Sequence, residues 1–451
     1  MTTSTLPLPP APAKEHWLLG SGYHLATDTI AFLQEQCPQF DGIMRITSRF
    51  EKVMIVYHPD YIRYVLQENN RNYVKSFGYE VLKMLLGEGL LTSEGEFWRR
   101  QRRLIQPAFS RERLYSVFSI MTDCVREWMD ELEKKRHQGP VNMQKEMMAL
   151  ALHVVARALF SSDVKDLVAA VGENMDIANE SAIDRIRDPF RPPPWFPSPM
   201  NIRERRAIKA LNHIIMRIIH QRRRTTTERL DLMGMLMATA DEETGERMSD
   251  RQLRDEAITI FLAGHETTAL ALTWLWYCLH AYPDIEAKVR QEARQVLAGK
   301  TPRVEHLTQL EYTRMVIEET LRLYPPAWTI GRKALTEDRL GEYLIPAGYN
   351  LLMPAFIVHR DPKWWDNPET FDPLRFEKDK VKTRPRFTYF PFGGGPRLCV
   401  GNNFAMMEML LAVSMTIQEY SFRKTDNEHP GLDPLITLRP KWPVMMEVIK
   451  I

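Results

Sequence analysis

Along most of this chain, apolar residues return at a spacing near 3.6. Residues 111–135, 142–160, 202–224, 250–282, 284–298 and 312–324 each carry the i, i+3, i+4, i+7 pattern of a helix with a buried face. The fourth of these would be about 50 Å long at 1.5 Å per residue, enough to cross a whole domain. Its apolar stretch, 257–282, is long enough to span a bilayer. His265 and Glu266 stand near its middle, where a charge costs roughly 2.5–3.5 kcal/mol even on the lenient insertion scale. The pattern therefore predicts a helix buried in protein. Strand-like runs are few and short, at 52–56, 344–352 and 445–451. The expectation is a mainly α protein with small β-sheets.

Proline and glycine interrupt this pattern in three places. Residues 191–199, Arg-Pro-Pro-Pro-Trp-Phe-Pro-Ser-Pro, predict an extended connector, because proline removes backbone donors and blocks helix. Residues 241–247 read as a charged turn, and 384–400 as irregular backbone around Cys399. No composition shift marks a domain boundary. The expected division is a proline-rich arm at residues 1–16 followed by one large domain at 17–451.

Composition narrows the class. Of 451 residues, 44% are hydrophobic and 26% charged, which excludes a disordered chain. Sixty Lys+Arg against 58 Asp+Glu leave a net charge of +2, so a nucleic-acid partner is not expected. Cys37, Cys124, Cys278 and Cys399 form no C-x-x-C pair, which removes zinc ribbons and ferredoxin-type clusters and fits a reducing compartment. The first ten residues hold neither a basic flank nor an apolar run. No signal peptide or membrane anchor is expected, and the cytoplasm is the expected location.

The chemistry gathers in Phe392-Gly-Gly-Gly-Pro-Arg-Leu-Cys-Val-Gly401. Glycines let backbone approach a flat ligand and accept positive φ. Arg397, nearby amides and the start of a helix expected at 402–416 all favour a thiolate at Cys399, and such a thiolate is a strong metal ligand. The decapeptide fits F-x-x-G-x-R-x-C-x-G and resembles the haem-ligand loop of the cytochrome P450 family. Other segments resemble that family's motifs, in its order. They are Trp98-Arg-Arg-Gln-Arg102 (W-x-x-x-R), Ala263-Gly-His-Glu-Thr-Thr268 (the oxygen-activation motif of the long central helix), Glu319-Thr-Leu-Arg322 (E-x-x-R) and Pro373-Leu-Arg-Phe376 (P-x-R-F).

The resemblance implies a single large P450-fold domain with a long central helix over a haem b. Cys399 would be the iron ligand, with Ala263, Phe392 and Gly401 also contacting the cofactor. Trp98, Arg102, Arg332 and Arg397 would hold its propionates, and for each arginine the other reading is a solvated charge. Glu319, Arg322 and Arg375 would form a buried network, where a bare i,i+3 pair reads as a surface ion pair. Glu266 and Thr267 would be the catalytic pair that delivers protons while O2 is activated. A plain core helix has no reason to place Glu beside Thr in an apolar run, since burying that charge is costly. The Thr267 hydroxyl is expected to bond a carbonyl one turn back. Ala263 and Gly264 would leave room for a flat cofactor. His265 is read as a partner on the polar side of the helix, because Ala269 breaks the H-E-x-x-H zinc pattern.

The implied enzyme is a monooxygenase that inserts one atom of O2 into a hydrophobic small molecule. By analogy the pocket is lined by residues 76–92, by the connector with Phe190, Trp195 and Phe196, and by the turn at 327–330. Trp328 would narrow the space over the haem. Core packing is the other reading for each aromatic. The motifs resemble those of family members acting on fatty acids and terpenoids. No G-x-G-x-x-G follows a predicted strand. Electrons are therefore expected from a separate ferredoxin or flavodoxin with its reductase. Arg99, Arg100 and Arg103 offer either a docking face for that donor or a solvated basic face. The rival readings are a peroxide-driven or non-oxygenating haem-thiolate enzyme and a haem-binding sensor without turnover. The intact Glu266–Thr267 pair favours the monooxygenase.

Overall fold

The computed structural model describes residues 6–13, 16, 20–48, 52–160, 165–187, 191–224 and 231–451. Phe190, one of the expected pocket residues, lies outside them. The described chain gathers into two units, each assembled from separate stretches of sequence. One comprises residues 1–80, 318–399 and 432–439, the other 81–317, 400–431 and 440–451.

The first unit is built on a five-stranded sheet. The hairpin Ile43–Ile46 and Val53–Val56 pairs Ile43 with Val56, and Val53 then runs parallel to Asn350 of strand Asn350–Met353. Strand Ile330–Ala334 follows, and Tyr73–Lys75 closes the edge. All four residues of Val53–Val56 are buried, as expected of an inner strand covered on both faces. Its hydrophobic core includes Met44, Met54, Leu351, Met353 and Phe356. The strand-like run 344–352 is two strands rather than one. Tyr343–Ile345 pairs with Asp338–Leu340, and Asn350–Met353 joins the large sheet. Pro346 and the left-handed Gly348 (φ +83°) break the run between them. The proline-rich arm is tied to this unit. Pro7 C=O accepts from Leu344 N–H at 2.9 Å, and Pro10 C=O from Arg45 N–H at 2.8 Å.

The second unit is helical, with a three-stranded sheet of Val141–Asn142, Met445–Lys450 and Tyr420–Lys424. Its axis is the helix Asp250–Ala281. Ser249 and Gln252 close a reciprocal capping box at its start, and Pro283 opens the next helix just past its end. Helices Met143–Phe160 and Pro199–Arg224 pack against it. The axis helix is long and apolar enough to cross a membrane, but 83% of its most apolar window is buried inside the protein. The expected segment 111–135 is interrupted by a tight turn at Tyr115–Val117, which leaves Phe118–Lys135 as the long helix. The helix Lys165–Arg187 was not expected from the pattern.

Candidate active site

In the first unit the cysteine loop is tied by its own backbone. Gly393 N–H donates to Phe390 C=O (2.9 Å), Leu398 N–H to Gly395 C=O (3.1 Å) and Cys399 N–H to Phe392 C=O (3.0 Å). Gly395 has φ +66°, and a Cβ there would run into the Leu66 carbonyl. Only glycine serves at that position. Cys399 is exposed, whereas Cys37, Cys124 and Cys278 are buried. The exposed sulfur of the four thus stands on a glycine-built loop, and this fits a haem held by a thiolate. Phe392 and Arg397 are half-buried in the same loop. Arg332 is buried on strand Ile330–Ala334 and donates to the Gly331 carbonyl at 2.8 Å.

Behind the loop stands the network expected from E-x-x-R. Arg322 Nε and Nη2 donate to the two Glu319 oxygens at 2.7 and 2.8 Å, and neither side chain is exposed. Arg322 also donates to the carbonyls of His359, Pro368 and Thr370. Arg375 Nε lies 3.4 Å from Glu319 Oε1, which also accepts from Asp372 N–H. This is the buried network and not a surface pair. His359 joins it and was not singled out in the sequence. Its Nε2 accepts the Phe390 N–H at 2.9 Å, so its proton sits on Nδ1, 3.2 Å from the Arg322 carbonyl. Burial, and then the charge of Arg322, push its pKa down to about 3. Trp328 does not face open space. It is buried in the first unit's core with Nε1 donating to the Leu435 carbonyl at 2.8 Å.

In the second unit, helix Gly95–Ile105 carries Trp98, buried, and Arg102, half-buried, one turn apart. Arg102 Nε donates to Gln106 Oε1 at 3.1 Å. The neighbouring arginines are not a free basic face. Arg99 pairs with Glu96, Arg100 with Glu246 (2.8 Å), and Arg103 with Asp241 and Glu243 (3.2 and 2.8 Å). The charged turn at 241–247 supplies most of these counter-ions. Gly401 caps helix Asn402–Thr416, and a Cβ there would make only ordinary contact with Phe109 at 3.9 Å.

The middle of the axis helix departs from its surroundings. Ala263 is exposed, and Gly264 and Thr267 are half-buried among buried neighbours. The Thr267 hydroxyl donates to the Ala263 carbonyl at 2.6 Å, the expected bond one turn back. Glu266 is buried and accepts from Asn179 Nδ2 at 2.8 Å, a partner 87 residues away on helix Lys165–Arg187. Gly264 does not open space for a cofactor. A Cβ there would meet Val155 at 3.1 Å, so the glycine admits the neighbouring helix. His265 is buried, with its ring 6.3 Å from that of Phe261. Trp195 and Phe196, expected in the pocket, are 76% and 47% exposed on the connector. Among the described residues, no group of three or more His, Cys, Asp or Glu could hold a metal.

An exposed thiol on a glycine-built loop, backed by a buried Glu–Arg–Arg scaffold, belongs to the haem-thiolate class. The Cytochrome P450 family model matches residues 9–447, and the chain belongs to that family. It is a monooxygenase with haem b as its cofactor. Cyclooctatin synthase of Streptomyces melanosporofaciens is 35% identical, with 91% of this chain and 92% of that protein covered. Cyclooctat-9-en-7-ol 5-monooxygenase of the same organism is 32% identical, with 90% and 88% covered. The fold matches the crystal structure of the cytochrome P450DA heme domain at a TM-score of 0.91 and 24% identity, with 99% and 98% covered.

Proposed function

We propose that this monooxygenase inserts one atom of O2 into an apolar small molecule, terpenoid-like or fatty-acid-like, with Glu266 and Thr267 as its proton-delivering pair. One observation carries the reading: Glu266 is buried next to a half-open Thr267 and is held there by a hydrogen bond from Asn179. A buried carboxylate is costly unless it is bonded or used. The haem, when bound, supplies the oxygen chemistry. Cys399 would hold it, with Trp98, Arg102, Arg332 and Arg397 as donors to its propionates and Ala263, Phe392 and Gly401 in contact with it. The Thr267 hydroxyl, fixed on the Ala263 carbonyl, presents an oxygen at the exposed stripe, and Glu266 passes it protons. The names of the two Streptomyces relatives, one a monooxygenase acting on an alkenol, support a terpenoid-like substrate.

Residues 17–451 act as one catalytic domain behind the arm at 1–16, in the cytoplasm. A separate ferredoxin or flavodoxin with its reductase supplies the electrons. Since Arg99, Arg100 and Arg103 are already ion-paired, the donor docks elsewhere or displaces the charged turn. The test of the proton pair is Thr267→Ala. Reductant and O2 consumption should continue while product per reductant falls by about tenfold or more, because the productive step loses its positioned proton-transfer group. Coupling equal to wild type would remove Thr267 and Glu266 from that role. Substrate class is read from spin-state shifts across a panel of terpenoids and fatty acids.

A further inference from the structure

Residues 87–93 form a tight loop fastened to the axis helix by two adjacent carboxylates. Glu88 N–H donates to Asp255 Oδ2 and Leu90 N–H to Glu256 Oε2, each at 2.9 Å. Both carboxylates are buried, at 3% and 1% exposure. Asp255 also pairs with Arg254, which donates to Asn212 Oδ1 at 2.7 Å. The loop is drawn in on itself. Thr92 Oγ1 donates to the Gly87 carbonyl at 2.7 Å, and Ser93 N–H to the Gly89 carbonyl at 2.9 Å. Gly87 has φ +62°, and a Cβ there would strike the Asp255 carboxylate. A Cβ at Gly89 would strike the Thr259 hydroxyl. Hydrogen bonds from amides to carboxylates are among the stronger kinds. Burying two carboxylates within one helical turn is costly unless both are bonded. A simple connector would need neither.

Glu256, Ala263 and Thr267 stand at i, i+7 and i+11 and so share one stripe of the helix. Leu90 is therefore bonded to that stripe about 10 Å before Ala263, at 1.5 Å per residue. Leu90 and Leu91 are half-buried, while Gly89, which faces Thr259 of the helix, is buried. We propose that Asp255 and Glu256 are positioning residues. They fix Leu90 and Leu91 as an apolar wall along the Ala263–Thr267 stripe and so determine how an extended apolar substrate is accommodated. The role of the stripe rests on the function proposed above.

The test compares the holoenzyme carrying Asp255→Ala and Glu256→Ala with one carrying Asp255→Asn and Glu256→Gln, whose amide oxygens still accept the two N–H groups. Hydrogen exchange at the Glu88 and Leu90 amides should quicken at least about tenfold in the alanine pair and stay within about threefold in the amide pair. Binding of imidazole and of 1-dodecylimidazole is read from the Soret shift. The alanine pair should keep imidazole affinity within about twofold and weaken 1-dodecylimidazole about tenfold, with the amide pair restoring it. Leu90→Ala, which leaves both carboxylates in place, should weaken 1-dodecylimidazole alone and keeps the wall testable if the alanine pair does not fold. Unchanged exchange overturns the fastening. Faster exchange with unchanged 1-dodecylimidazole affinity, or equal weakening of both azoles, overturns the wall. A wild type that shifts with neither azole places the failure in the haem reading, and the exchange comparison still decides the fastening.

Discussion

Asn179 and His359 do their work through partners far away in sequence, and neither carries a motif. Asn179 meets Glu266 across 87 residues, and His359 meets Phe390 across 31. Cys399, Glu319 and Arg322 were legible because their partners or neighbours lie within a few positions, where spacing alone fixes geometry. The exposed Trp195 and Phe196 mark the opposite failure. Their letters are apolar, but three carbonyls of their connector, those of Pro192, Pro193 and Phe196, accept from Asn201 Nδ2 and hold the segment on the surface. Asn179→Ala should remove a buried donor worth about 1.5–3 kcal/mol to a charged acceptor, and so lower product per reductant roughly tenfold or more. The thiolate spectrum should not change. Coupling at the wild-type level would deny Asn179 a positioning role. Glu319→Ala strands Arg322 without its buried partner and should cost about 3–5 kcal/mol of stability, read from chemical denaturation.

At the scale of elements, the helical period was the reliable signal, because a helix of three or more turns repeats its buried stripe several times. The axis helix expected at 250–282 runs Asp250–Ala281, and the structure shows what ends it: the Ser249–Gln252 capping box and Pro283. Strands such as Tyr73–Lys75, three residues long, offer too few alternations to show a period. Helix Lys165–Arg187 was missed although it supplies Asn179. Its Gly172 sits near Leu152, a close approach that periodicity does not record. The cysteine loop depends on Gly395 more than on Gly401, since only the former is left-handed and pressed on backbone. Gly395→Ala should cost more than about 2 kcal/mol, from the left-handed penalty and the clash together, and lower haem retention. Gly401→Ala should be far milder, and equal losses at the two positions would contradict this assignment.

For the whole molecule, acid should act early. His359 is buried and neutral, with its pKa lowered to about 3, while in the unfolded chain it titrates near the ordinary value. The unfolded state therefore takes up the proton first. The stability His359 confers is complete above about pH 6.5 and falls as the pH drops toward 3, by at most about 1.4 kcal/mol per pH unit for one proton. Denaturation profiles between pH 7 and 4 should show this slope, and His359→Gln should flatten it. Asp338 adds a later loss. Burial raises its pKa, but hydrogen bonds from Tyr73, the Arg339 amide and Tyr64 outweigh that and hold it below the ordinary carboxylate value. Its contribution is present above about pH 4 and disappears below it. Haem loss should track the His359 range, because that side chain supports the backbone just before the cysteine loop. The haem-thiolate account itself depends on the thiolate at Cys399, and the absorption spectrum of the reduced protein with carbon monoxide examines it directly. A strongly red-shifted Soret band, abolished by Cys399→Ala, is the expected result. A band at the position of histidine-ligated haem in the native protein, or a red-shifted band that survives Cys399→Ala, would contradict it.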